Sequence, residues 1–197
     1  MNVLPSPLLA PYVKYYWVVK ADETTAIQTV PSGCIHLVFH RGGSMYFSDG
    51  EQQPQSFIRG QLSGPGVLQS KGEIDMIAVI FHPLGFNVFF SLPLQLIYNQ
   101  YVDVDSMEDA GLKELKCNIL HEEDSLACIQ LIEHFLLSRI TDWHDYNFKR
   151  MFHSVEVISR QVDIDVASLA SQTCLGVRHF NREFSKYRGT SPKEYLR

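Results

Sequence analysis

The chain has 197 residues, 45% of them hydrophobic and 20% charged, with a formal net charge of −5. This is ordinary globular usage, enough to bury a core in one large domain or two small ones, and it excludes global disorder as the default state. No apolar run reaches the ~18 residues of a membrane span, and the first residues carry no basic stretch leading into an apolar one, so neither a membrane partner nor export is expected. Cys34, Cys117, Cys128 and Cys174 stand far apart with no C-x-x-C pair, which argues against a zinc knuckle, a thioredoxin-like site or a dense disulfide framework and favours the cytoplasm.

The first half reads as β-rich. Residues 14–20, 34–40, 44–48 and 75–82 are rich in Val, Ile, Phe and Tyr and are predicted as strands. Turn signals separate them: Pro31-Ser32-Gly33, Arg41-Gly42-Gly43, Asp49-Gly50 and Ser63-Gly64-Pro65-Gly66. Short strands with glycine at the corners predict a small barrel or a sandwich. The glycines never form G-x-G-x-x-G or G-x-x-x-x-G-K, so no nucleotide-binding loop is present.

Helical periodicity begins near Leu84. Leu112, Leu115, Ile119 and Leu120 share one helix face. The next helix, Ser125–Arg139, is apolar over a wide arc and needs burial on more than one side. It is either a core helix or a homodimer-forming one. Residues 141–147 (TDWHDYN) break the pattern and are the predicted linker, dividing the chain into a sensor or effector domain at 1–141 and a second module at 142–197. A helix over 148–161 follows, with Phe148, Phe152, Val155, Val157 and Ile158 inward.

Charge is unevenly spread. Residues 155–197 carry seven Lys/Arg and five Asp/Glu, and from Gly176 onward the balance is six to two, so the acidic excess sits in the first 154 residues. A basic end on an acidic body suggests two modules with different partners, or simply a solvated helix face. Within 165–197 a short helix fits 166–171, with Val166, Leu169 and Ala170 inward and Asp165 as its cap. Cys174-Leu175-Gly176 is a tight connector, and a second helix fits 177–187 with Phe180, Phe184 and Tyr187 inward. Two helices joined by a short turn, with a small residue at the crossing, describe a helix-turn-helix. The outer stripe of the second helix carries Arg178, Asn181, Arg182 and Lys186. Arginine can pair bidentately with guanine, asparagine with adenine, and lysine can hold phosphate, so the stripe suits double-stranded DNA. A solvated helix would show the same residue types.

Val166, Leu169, Ala170, Leu175, Arg178, Phe180, Arg182, Phe184, Gly189, Ser191, Pro192 and Tyr195 fall in the order of a known pattern. In these residues the segment resembles the AraC/XylS family of bacterial transcription regulators. The resemblance implies sequence-specific DNA binding, with base contacts from Arg178, Asn181 and Arg182. The serine that usually caps the recognition helix is Gly176 here, a cap weaker by only a few tenths of a kcal/mol. That family's DNA-binding domain has two helix-turn-helix units, and this chain supplies the first. Ser191, Pro192 and Glu194 open a further helix strongly, yet the chain stops within two turns. The expectation is therefore a fragment of a longer regulator, or alternatively a natural half-domain relative.

The first part is similar to a sensor-like domain of unknown function that precedes AraC-type modules. The similarity rests on Leu9, Pro11-Tyr12-Val13, Tyr16-Trp17, Val30-Pro31, Gly33, Leu37-Val38-Phe39-His40, Gly60-Gln61, Phe81, Pro83, Gly85 and Leu92-Pro93. It implies a cupin-like β-barrel followed by helices. The expected class is therefore α+β, a cupin-like barrel and then an all-α module, with an unknown small-molecule or protein effector.

Other constellations are weaker. His36 and His40 lie on one strand face and could form a metal triad with His82, but the H-x-H pair of cupin enzymes with its later ligands is absent, so no metal is expected. No G-x-S-x-G elbow occurs. Asp103/Asp105 and Glu122/Glu123/Asp124 suit turns and helix starts better than acid–base work. Tyr15, Tyr16, Trp17, Arg59 and Gln61 either line a small-molecule pocket or serve as core aromatics and surface polars. No enzyme activity and no cofactor are expected. Two further readings are a cupin-like small-molecule enzyme with a helical appendage and a sensor-type antagonist without DNA binding.

Overall fold

The computed structural model describes residues 1–22, 24, 26–140, 146–161 and 163–196. Period-2 alternation builds its first half. In β2 (Val13–Ala21), Tyr16 and Val18 face one side while Tyr15, Trp17 and Val19 face the other. The long central strand β8 (Ile74–Phe81) is an almost continuous apolar run because both of its faces are covered. Nine strands are described. Besides β2 and β8 they are β1 (Asn2–Val3), β3 (Ala26–Thr29), β4 (His36–His40), β5 (Ser44–Phe47), β6 (Ser56–Arg59), β7 (Gly66–Lys71) and β9 (Tyr101–Asp103). Six of them pair antiparallel in the order β1-β2-β8-β4-β6-β9, and β3-β7-β5 form a separate three-stranded sheet.

The residue pattern left barrel and sandwich open, and the structure is of the second kind. Among the described residues no hydrogen-bonded ladder joins the two sheets, so the cupin-like barrel that the resemblance implies is not closed. The physical reason lies between the sheets. Large side chains from the six-stranded sheet, including Trp17, Phe57 and Arg59, stand in the gap and face Ile27 and Leu68 of the small one.

Helices α1 (Ala110–His121) and α2 (Ser125–Arg139) cover the other face of the large sheet. Asp109 caps α1 through Leu112 N–H, and Asp124 caps α2 through Leu126 and Ala127 N–H. The wide apolar arc of α2 is taken up by the chain's own core: Cys128, Ile129, Ile132 and Leu136 are buried there, and Leu131, Phe135 and Leu137 pack around them. The core-helix alternative thus accounts for the arc. Arg41 pins this layer to the sheet, donating to both carboxylate oxygens of Asp75, to the Glu122 carbonyl and to Ser125 Oγ.

The remaining helices are α3 (Tyr146–Arg160), α4 (Val166–Gln172), α5 (Val177–Arg188) and the single turn α6 (Pro192–Tyr195). Their core comprises Phe148, Met151, Val155, Leu169, Ala170, Phe180 and Phe184. Leu84, from the end of the sheet region, joins it. The predicted linker at 141–147 lies mostly outside the described residues; α3 begins at Tyr146. No described helix is long and apolar enough to cross a membrane.

Candidate functional site

The helix-turn-helix forms as its residues require. Asp165 caps α4 by accepting from Ser168 N–H at 2.7 Å. The chain then turns at Cys174, which adopts a left-handed φ of 55°, and Gly176 caps α5 without a side-chain bond. Phe180 and Phe184 are buried on the inner face of α5. On the outer face Arg178, Arg182 and Lys186 are exposed and Asn181 is half-buried. The spacing of four residues puts the three cations on one stripe, spanning ~12 Å along the axis.

Two residues of this site went unrecognised in the sequence. Glu183 is buried beneath the stripe, accepting from Arg182 Nε at 3.3 Å and lying 3.5 Å from His179 Nε2. It thus lies against the base of Arg182, the cation in the middle of the stripe, whose side chain stays largely exposed. Arg178, His179 and Arg182 together line an open surface hollow. The i, i+4 relation of His179 and Glu183 was the available signal.

Arg188, counted in the basic end of the chain, is not part of that surface. It is 2% exposed, with its guanidinium 4.2 Å from the Tyr195 ring and with Nε and Nη2 unpartnered. Burial pulls its pKa below the usual guanidinium value, with Tyr195 and Cys34 acting against that. A side chain at Gly33 would begin 3.2 Å from Arg188 Nη2 and 3.6 Å from Gln61 Nε2. Gln61 thus stands beside the Gly33 corner, and it does not line the cavity between the sheets. More contacts join the sheet region to the helix-turn-helix. Gln95 Nε2 donates to the Ser185 carbonyl and Tyr98 Oη to Glu194 Oε1. Gly189 (φ 78°) lies so close to the Leu94 carbonyl that a Cβ would come within 2.8 Å of it. Leu84, itself at φ 70°, is inserted among the aromatic side chains of the helices.

A cavity of about 280 Å³ lies between the two sheets. Tyr15, Trp17 and Arg59 line it, as the sequence allowed, while Tyr16 points to the opposite face and donates to Glu133 at 3.2 Å. His36 is the cross-strand partner of Arg59 and shares the cavity wall. Burial, then the Arg59 charge, lowers the His36 pKa to about 3, so the imidazole is neutral at physiological pH. Its Nε2 has no hydrogen-bond partner. Burial also pulls the Arg59 pKa down.

The three candidate metal histidines do not converge. His40 is held by Gln53 Oε1 at 3.1 Å, and His82 lines a different cleft with Pro11, Phe152 and Glu156. Among the described residues no three His, Cys, Asp or Glu side chains gather in metal-binding geometry. The paired carboxylates cap turns: Asp103 accepts from Asp105 N–H and Glu122 from Asp124 N–H.

No curated protein matches the chain. Solved structures of ToxT from Vibrio cholerae are similar at low identity. One, of ToxT from strain O395, aligns at 10% identity with a TM-score of 0.35, covering 92% of this chain and 96% of that one. Another, bound to (E)-4-(8-methylnaphthalen-1-yl)but-3-enoic acid, aligns at 11% with a TM-score of 0.34, covering 92% and 97%. A third, with unsaturated fatty acid bound, aligns at 13% with a TM-score of 0.29, covering 92% and 93%. Residues 1–103 match a family described as a domain of unknown function, DUF6597. That segment is more than half of the chain, and it contains the sheets, the cavity and the Gly33 corner: the chain belongs to the DUF6597 family.

Proposed function

We propose that the chain is a cytoplasmic, bacterial transcription regulator of AraC type and not an enzyme. In this reading the helix-turn-helix binds double-stranded DNA, and the DUF6597 domain senses a small-molecule or protein effector. The observation that carries it is the solvent-facing stripe of Arg178, Arg182 and Lys186 on a helix anchored by Phe180 and Phe184. Inserted in a major groove, Arg178 and Arg182 would read guanine, Asn181 adenine, and Lys186 would hold a phosphate.

The contacts around Arg188 support a route between the two functions. The Pro31-Ser32-Gly33 corner borders the cavity through Ser32 and Arg188 through Gly33. An effector that shifts this corner would alter how α5 is held, biasing the population of DNA-competent arrangements.

The test is a selection of duplexes from a random library, followed by anisotropy titrations in a salt series. Wild-type protein should enrich a motif and lose affinity steeply with salt. Arg182→Ala should lose ~1–3 kcal/mol of discrimination at one or two base pairs, while Lys186→Ala should weaken all duplexes evenly. An unchanged base preference in Arg182→Ala, or no enriched motif at all, overturns the reading.

A further inference from the structure

The cavity between the sheets has an unusual polar end. Its walls are mostly apolar and aromatic, from Tyr15, Trp17, Ile27, Leu68 and Ile80. At one side stand His36 and Arg59, cross-strand neighbours on β4 and β6. Among the described residues no carboxylate forms an ion pair with Arg59, and burial alone accounts for its lowered pKa. A second cleft that Arg59 borders is lined by Asp49 and Glu51, again without an ion pair to it. A half-buried guanidinium with no carboxylate on it, beside a buried imidazole nitrogen with no partner, leaves hydrogen-bonding capacity that an acceptor in the cavity can take up.

We propose that this cavity binds a small organic carboxylate, with the carboxylate on Arg59 and His36 and an aromatic or short branched body among Tyr15, Trp17, Ile27 and Leu68. The chemistry fits each end. A carboxylate accepts two parallel hydrogen bonds from a guanidinium, and a neutral imidazole with its proton on Nε2 supplies a third donor. An inorganic anion would leave the apolar walls unfilled. Size sets the other limit. About 280 Å³ falls just below the ~300–1,000 Å³ range of small-molecule sites, so one ring or a short branched chain fits and a long acyl chain does not. This gives a ligand class to the sensing role proposed above, and it is tested without DNA.

Trp17 lies in the cavity wall and reports occupancy once Trp143→Phe removes the other tryptophan. The probes are benzoate, phenylacetate and isovalerate, each paired with its amide, together with hexadecanoate and inorganic phosphate. At least one short acid should quench or shift the Trp17 emission with tenfold or greater preference over its amide, and hexadecanoate and phosphate should bind more weakly. Arg59→Met should erase the acid-over-amide preference, and Arg59→Lys should restore part of it. Ile27→Phe narrows the cavity from the opposite sheet without touching Arg59, and it should weaken acid and amide alike. Circular dichroism checks that each variant folds, and if Arg59→Met does not, Ile27→Phe decides the matter. Equal affinity for acid and amide, preference retained in Arg59→Met, undiminished binding in Ile27→Phe, or no response to any short acid overturns the proposal. A chain that binds benzoate but selects no duplex refutes the regulator reading alone. One that selects a duplex but binds no acid refutes this proposal alone.

Discussion

The sheet region and the helix-turn-helix are stabilised in different ways. In the first, a six-stranded sheet is covered on both faces, and strands such as β8 bury nearly every side chain. In the second, a handful of aromatic rings hold short helices together. Phe180 and Phe184 stand 5.6 Å apart, Phe184 and Tyr195 5.7 Å, and Phe148 and Tyr187 5.8 Å. Part of the second core is borrowed, because Leu84 comes from the sheet region and the C-terminal end of α5 rests on Leu94 and Gln95. A module of this size buries too small a fraction of its surface to be robust alone. Its fold and its orientation are therefore tied to the body that carries it, as the proposed control of one region by the other requires.

The comparison breaks most visibly at Phe184, which is 1% exposed. Phe184→Ala should cost ~3–5 kcal/mol. Hydrogen exchange should show α4 and α5 losing protection while β8 keeps its own. Equal loss in both regions would mean that they unfold as one unit.

Acid should act the other way, on the sheet region. His36 is held neutral with a pKa of about 3, against 6.5 for the free side chain, and burial also lowers the pKa of His40. Between those values the unfolded chain binds more protons than the folded one, so stability falls as pH drops below ~6.5. At pH 5 the His36 contribution alone reaches up to about 2 kcal/mol. Urea midpoints at pH 7 and pH 5 measure it, and His36→Gln should flatten the difference.

The most local expected effect is at the junction. Gly189→Ala places a side chain at φ 78° against the Leu94 carbonyl and should cost ~1–2 kcal/mol from backbone conformation, with a further contribution from the contact. Faster proteolysis near α5, with an unchanged body, is the readout. If cutting is unchanged, the junction is looser than these distances indicate.

Much of this was legible in the residues. The strands β2, β4, β5 and β8 and the helices α1 to α5 fall within a few residues of their predicted places, because alternation and 3.6-residue periodicity report which face is buried. The strands β1, β3, β6, β7 and β9 were missed; β1, β6 and β9 are two to four residues long, too short to show an alternation of their own. β3 and β7 belong to the small sheet, and their exposed positions carry Gln28, Val67 and Gln69, so neither shows a continuous apolar signal. The exposed cationic stripe was readable for the same local reason: Phe180 and Phe184 define the inner face of α5, and the cations follow on the outer one.

The sequence by itself determined where the helices and four of the nine described strands lie, which of their faces turn inward and which residues form the exposed stripe, since each follows from interactions between near neighbours along the chain. Only the tertiary structure decided that two sheets enclose a cavity with Arg59 and His36 at its wall, that Gln61 stands at the Gly33 corner and outside that cavity, and that Leu84 completes a core more than sixty residues away. Those outcomes depend on which surfaces meet across the fold, and periodicity within an element carries no information about its distant partner.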